Sequence, residues 1–77
     1  MYYVYVIKNV KTENLYYGYT NNLKCRLSEH NKKEEIWKLI YYEAYKAGSD
    51  ARKREIRIKN SGQAIGALKT RIKESLS

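Results

Sequence analysis

One carboxylate stands alone in a run of cations. Residues 51–60 read Ala51-Arg52-Lys53-Arg54-Glu55-Ile56-Arg57-Ile58-Lys59-Asn60. If this segment is helical, a 3.6-residue period places Glu55 on the stripe of Ala51 and Ile58, the apolar side. A carboxylate there breaks the apolar–polar pattern, and such breaks often mark function. The ordinary alternative is an i,i+4 pair with Lys59. Arg26 and His30 form a second constellation, also four residues apart. A guanidinium can grip a phosphate through its planar fork, and an imidazole can move a proton beside it. The alternative is a solvated arginine and a histidine that bonds the helix end. The chain also holds nine Tyr, one Trp and no Phe. Tyrosine adds to the packing ring a hydroxyl that can meet a phosphate or carry a proton. Taken alone, the tyrosines of the first two strands fit sheet packing as well as catalysis.

Other residues have simpler readings. Glu43 ends an apolar run and is expected to form a structural ion pair. Trp37 is expected to be a lid on the core, with a stacking platform for a base as the alternative. Cys25 is expected to be a small buried hydrophobe. It is the only cysteine, so a disulfide framework is excluded, and with one histidine a cysteine-based zinc site fails too.

The elements that must position these groups follow from pattern. Tyr2 to Lys8 is a strand of aromatic and β-branched residues, with Tyr3, Tyr5 and Ile7 on one face and Val4 and Val6 on the other. Residues 11–14 form a polar turn, and a second strand runs from Leu15 to Thr20, interrupted by Gly18, which makes a hairpin. Thr20-Asn21-Asn22 offers N-caps for a helix to about Asn31, with Leu23 and Leu27 toward the sheet and Arg26 and His30 at the margin. A charged loop over Lys32 to Glu35 leads to a third strand, Lys38 to Tyr45. Ser49 or Asp50 caps a second helix over 51–60, Gly62 marks a break, and a last helix carries Ile65, Leu68, Ile72 and Leu76. The order β-β-α-β-α-α predicts an α+β domain over residues 1–77, with a small three-stranded antiparallel sheet flanked by helices.

Seventy-seven residues with sixteen Lys and Arg against eight Asp and Glu carry +8, a charge that attracts polyanions. No stretch approaches 18 apolar residues, and the opening Met1–Ile7 has no basic leader region. The expectation is a soluble cytoplasmic protein.

Several segments together resemble the GIY-YIG nuclease family, in particular its small single-domain bacterial members. Tyr3-Val4-Tyr5, followed by Val6-Ile7-Lys8-Asn9, looks like the first signature, with Tyr3 where the family has Gly. Tyr16-Tyr17-Gly18-Tyr19-Thr20 looks like the second, with Tyr17 in place of Ile. Asn22-Leu23, Arg26-Leu27 and His30-Asn31 are similar to the family's first helix. Tyr42-Glu43 and the run from Ser49 to Glu55 resemble its third strand and acid-bearing helix.

The resemblance implies phosphodiester hydrolysis by a divalent-metal-dependent endonuclease. Glu55 would be the sole protein ligand of one Mg²⁺ or Mn²⁺, and Arg26 would bind a non-bridging phosphate oxygen. Tyr5 would be the general base, its pKa lowered by nearby cations. Tyr16 would position water or phosphate, and His30 would take up the Tyr5 proton or hold the phosphate. Arg52, Lys53, Arg54 and Arg57 would follow a nucleic-acid backbone, expected to be DNA, with little sequence specificity. A role in DNA repair or recombination is an association only. Neither a membrane nor an obligate protein partner is expected, and Asn60 is left without a role. The alternatives are a non-catalytic nucleic-acid-binding module of the same fold, or a small basic protein that binds RNA or a protein through its tyrosines.

Overall fold

The computed structural model describes residues 1–31 and 36–77, and the expected loop over 32–35 lies outside the described residues. The elements run β1 (Tyr2–Asn9), β2 (Leu15–Thr20), α1 (Leu23–His30), β3 (Trp37–Tyr45), α2 (Gly48–Asn60), α3 (Gly62–Arg71) and α4 (Lys73–Leu76). The three strands form one antiparallel sheet in the order β2-β1-β3. The predicted α+β architecture is therefore present.

Strand β1 is central, and this explains its composition. Val4, Tyr5, Val6 and Ile7 are all buried, because both faces of the strand are covered. Val4 and Val6 pack with Ala51, Ile58, Leu68 and Ile72 from the helices beyond β3. Register puts Tyr17 and Tyr19 opposite Val6 and Val4, and Tyr41 and Glu43 opposite the same pair on the other side. Those residues share the helix-covered face. Tyr5 lies opposite Gly18 and Tyr42, on the outer face that α1 partly covers. The register between β1 and β3 slips at Val6/Ile7, where partners pass from Tyr41 to Leu39 and leave Ile40 as the extra residue of a bulge.

The helix ends follow ordinary capping chemistry, with some differences from the sequence expectation. Asn22 is the N-cap of α1, its Oδ1 accepting from the Cys25 N–H at 3.0 Å. Helix α2 starts at Gly48, ahead of the expected caps Ser49 and Asp50, and its cap position, Ala47, contributes no side-chain bond. Gly62 sits inside α3, and Ser61 makes the break, in extended backbone with its hydroxyl accepting from Ala64 N–H at 3.3 Å. The expected last helix is two helices, because Ile72 leaves helical geometry. Lys8 donates to the Leu76 carbonyl at 2.6 Å and so ties the end of α4 back to β1.

One burial expectation is corrected. Cys25 is exposed, its Sγ turned to Glu29 Oε1 at 3.7 Å, because α1 is a short outer helix whose other side meets the sheet. Leu23 and Leu27, expected toward the sheet, are half-buried, and α1 contains no fully buried residue. Among the described residues, no helix is long and apolar enough to cross a membrane.

Candidate active site

The outer face of the sheet gathers Tyr5, Tyr16 and His30. The Tyr5 hydroxyl lies 3.0 Å from His30 Nε2. The Tyr16 ring meets the His30 ring edge-on at 4.8 Å and the Tyr5 ring at 6.3 Å. These contacts depend on Gly18. The Tyr5 ring crosses β2 directly over Gly18, and a Cβ there would collide with the phenol, including Cε1 at 2.7 Å. Gly18 therefore gives a side chain of the central strand a path to the β2 edge. Sequence pattern showed only that Gly18 interrupts a strand.

The position of His30 is fixed from behind. Asn31 clasps the backbone of Trp37, accepting its N–H at 2.8 Å and donating to its carbonyl at 3.3 Å. This ties the end of α1 to the start of β3. It also seats the Trp37 ring 6.4 Å from Tyr16 and 6.2 Å from His30. Trp37 is thus a wall of the aromatic cluster and not a lid on the main core. Nothing in the sequence marked Asn31 for this role.

Glu55 reaches the same edge from α2. It is buried on the stripe of Ala51 and Ile58, as its spacing predicts. Arg52 donates to its Oε1 at 2.8 Å and Lys59 to its Oε2 at 3.1 Å. Lys59 also stands 5.7 Å over the Tyr16 ring, and Arg52 5.9 Å over the Tyr19 ring. The i,i+4 pair with Lys59 and the proximity to the tyrosines therefore hold together. Arg26 is exposed and lies 3.6 Å from Glu29, near enough to Tyr5 and His30 to act on both electrostatically.

The electrostatics reverse one expectation. The Tyr5 phenol is pushed up to about 12, not lowered. Burial is the main cause, and Tyr16, Glu55 and Glu29 add to it, while Arg26 alone opposes them. His30 moves the other way. Burial and then Arg26 push its pKa below 6.5, against a weaker opposing pull from Glu29. At neutral pH the pair is a protonated phenol and a neutral imidazole, and in the tautomer that carries its proton on Nδ1 the phenol donates to Nε2.

The basic helix does not present one cationic face. Arg52 and Lys59 lie on the flank over β2, whereas Arg54 turns to β3. Arg54 donates to Glu43 through Nε at 3.0 Å and Nη2 at 3.1 Å. Its guanidinium is engaged by that carboxylate in the free protein. Glu43 also accepts from the Tyr41 hydroxyl at 2.7 Å and from the Tyr45 hydroxyl. Burial raises the Glu43 pKa, but the bonds from Arg54, Tyr45 and Tyr41 outweigh it and hold the carboxyl below its ordinary range. The expectation of a structural ion pair at Glu43 matches this geometry.

Among the described residues, no three His, Cys, Asp or Glu side chains stand together as a metal cage. A hard cation that keeps most of its water needs fewer protein ligands than that. A lone buried carboxylate whose two partners are exposed, flexible side chains fits such an ion.

Comparisons with known proteins identify the family of the chain. The UPF0213 protein SH2523 of Staphylococcus haemolyticus is 37% identical, over 74% of this chain and 78% of its own. The UPF0213 protein CPE1444 of Clostridium perfringens is 39% identical, over 77% of this chain and 71% of its own. No solved structure matches the chain significantly. The family described as the GIY-YIG catalytic domain matches residues 1–71, which takes in every strand and the helices that carry Arg26, His30 and Glu55. Over that extent the chain belongs to the GIY-YIG family, whose membership implies nuclease activity.

Proposed function

We propose that this protein is a divalent-metal-dependent endonuclease that hydrolyses phosphodiester bonds in DNA with little sequence specificity. The supporting observation is the Tyr5–His30 hydrogen bond of 3.0 Å, set among Tyr16, Arg26 and Glu55 at one edge of the sheet.

The pKa values indicate how the chain would move a proton. A phenol near 12 does not ionise on its own at neutral pH. Tyr5 acts instead as a relay. Its oxygen takes a proton from the attacking water while its own proton passes to His30 Nε2, and no free phenolate accumulates. His30 is neutral and ready to accept, and its lowered pKa lets it release the proton to solvent afterwards. Arg26, exposed beside this pair, holds a non-bridging oxygen as negative charge builds on the phosphate. The Tyr16 ring and hydroxyl fix the water or the phosphate against the relay. Glu55 would hold the Mg²⁺ or Mn²⁺, with Arg52 and Lys59 swinging aside, and the bound ion would polarise the phosphate and stabilise the departing 3′ oxygen. Arg52 and Lys53 supply backbone affinity near the cut, and Arg57 supplies it farther away.

The cations on Glu55 are the one observation that favours the non-catalytic alternative, since they neutralise the carboxylate in the metal-free protein. Incubating labelled single- and double-stranded DNA with Mg²⁺, with Mn²⁺ and with a chelator separates the two. The nuclease cleaves only with metal, and Glu55→Ala does not cleave at all. A folded wild type that binds DNA without cutting it under any of these conditions would be the non-catalytic module.

A further inference from the structure

The division of the basic helix leaves Arg54 and Arg57 on the flank away from Tyr5 and Tyr16. There they meet α3. A groove of about 290 Å³ runs between the two helices, lined by Arg54, Arg57, Gln63 and Arg71 over a floor of Ala64, Ala67 and Leu68. Three arginines line one concavity. Glu43 neutralises Arg54 and takes its Nε–H and one Nη2–H, so the two Nη1 hydrogens and the second Nη2 hydrogen remain for an added anion. Arg71 stands beside the Tyr41 hydroxyl and lowers its pKa against larger opposing effects. Among the described residues, no carboxylate pairs with Arg57 or Arg71. Among the described residues the groove therefore keeps two positive charges without a paired carboxylate, at a cost in mutual repulsion that a bound anion would relieve.

Its dimensions restrict the kind of anion. From Gln63 to Arg71 the α3 side is roughly 12 Å long. That is room for more than one phosphate of a strand, which recur at about 3.4 Å along a duplex axis. The small residues on the floor let a chain settle between the helices, and the planar forks suit phosphate oxygens. We propose that this groove is a second phosphodiester-binding site, which holds the backbone of the nucleic-acid substrate at a distance from the bond being cut. The proposal rests on the nuclease function above and adds that the substrate must be long enough to reach both flanks of α2.

Binding separates this proposal from the catalytic one. Fluorescence anisotropy in chelator, where nothing is cleaved, measures affinity for a long DNA duplex and for an oligomer too short to leave the tyrosine edge. The protein carries Arg57→Gln with Arg71→Gln, or Arg57→Gln alone, since Arg57 is exposed and holds nothing in place. On the long duplex the double variant binds more weakly, and its log–log salt slope falls by roughly two, one per lost phosphate contact. Arg57→Gln alone loses roughly one. The short oligomer shows a much smaller change. A salt slope equal to wild type on the long duplex, or equal losses at both lengths, overturns the second site. So does a wild type that binds neither DNA, in which case an acidic protein surface becomes the alternative occupant. Failure of the nuclease proposal would show separately, as an absence of metal-dependent cleavage with the binding behaviour intact.

Discussion

Glu43 and Glu55 are both carboxylates under the same helix, and both are paired with arginine, yet their surroundings differ in kind. The Glu43 side chain is 14% exposed, and its Arg54 partner is 25% exposed. It accepts two bonds from one guanidinium and one from each of two tyrosine hydroxyls, so its acceptor sites are filled by groups that are themselves packed. The Glu55 side chain is more buried, at 8%, but its partners Arg52 and Lys59 are 60% and 46% exposed. Exposed long side chains are held weakly and can swing into water. Burial therefore does not tell a working carboxylate from a structural one. On the proposed function the exposure of the partners does, because it decides whether another cation can enter.

The largest expected effect separates the two carboxylates in one assay. Glu55→Gln abolishes metal-dependent cleavage of labelled DNA while DNA binding survives or improves, since a negative charge is lost. Glu43→Gln still cleaves below its unfolding temperature. Loss of cleavage in both, with both folded by circular dichroism, would erase the distinction.

The next effect lies in the relay. Tyr5→Phe keeps the ring over Gly18 and removes only the hydroxyl, so cleavage falls by roughly 10²–10⁴-fold, the usual worth of positioned acid–base catalysis. Stability changes by about 1 kcal/mol or less, one hydrogen bond. A Phe variant that cuts at the wild-type rate would return Tyr5 to packing and leave His30 as the base.

The pH profile refines the same point. The relay needs neutral His30, whose pKa lies below 6.5, so the rate rises as pH climbs through that lowered value and is then flat. No inflection appears near pH 10, because burial has moved Tyr5 to about 12. A rise near 10 would mean that Tyr5 ionises as an ordinary phenol.

Glu43→Gln gives a smaller effect, read as stability. It leaves Arg54 half-buried with a weaker partner and costs about 1–3 kcal/mol at neutral pH. Because folding depresses the Glu43 pKa, its contribution is full above the ordinary value of 4.5 and is lost as pH falls through the folded-state value. Thermal melts across that acid range therefore slope less steeply in the variant. Parallel melts would place the acid sensitivity elsewhere.

The sequence carried much of this because some facts are local. Alternation in β1 separated Tyr5 from Val4 and Val6, and the break in the α2 stripe singled out Glu55. What it missed depends on contacts across the chain. The Tyr5 pKa turns on burial under α1 and on carboxylates from two helices, so counting nearby cations gave the wrong sign. The reach of Tyr5 depends on the residue opposite it in the ladder, Gly18. The clasp of Asn31 on Trp37 joins two elements with no shared pattern. The two flanks of α2 were implied by its periodicity, but only the positions of β2, β3 and α3 show what each flank meets.

The central claim is that Glu55 is open to a metal cation and Glu43 is not. Unfolding temperature measured against Mn²⁺ concentration, on wild type, Glu55→Gln and Glu43→Gln, tests this without relying on turnover. A ligand at a hundred times its dissociation constant stabilises the native state by about 2.7 kcal/mol, and a domain of this size shifts by roughly 4–8 °C per kcal/mol. Wild type and Glu43→Gln should rise in parallel with Mn²⁺ from their different starting temperatures, and Glu55→Gln should stay flat. A rise in Glu55→Gln equal to that of wild type, or its loss in Glu43→Gln, would contradict the account.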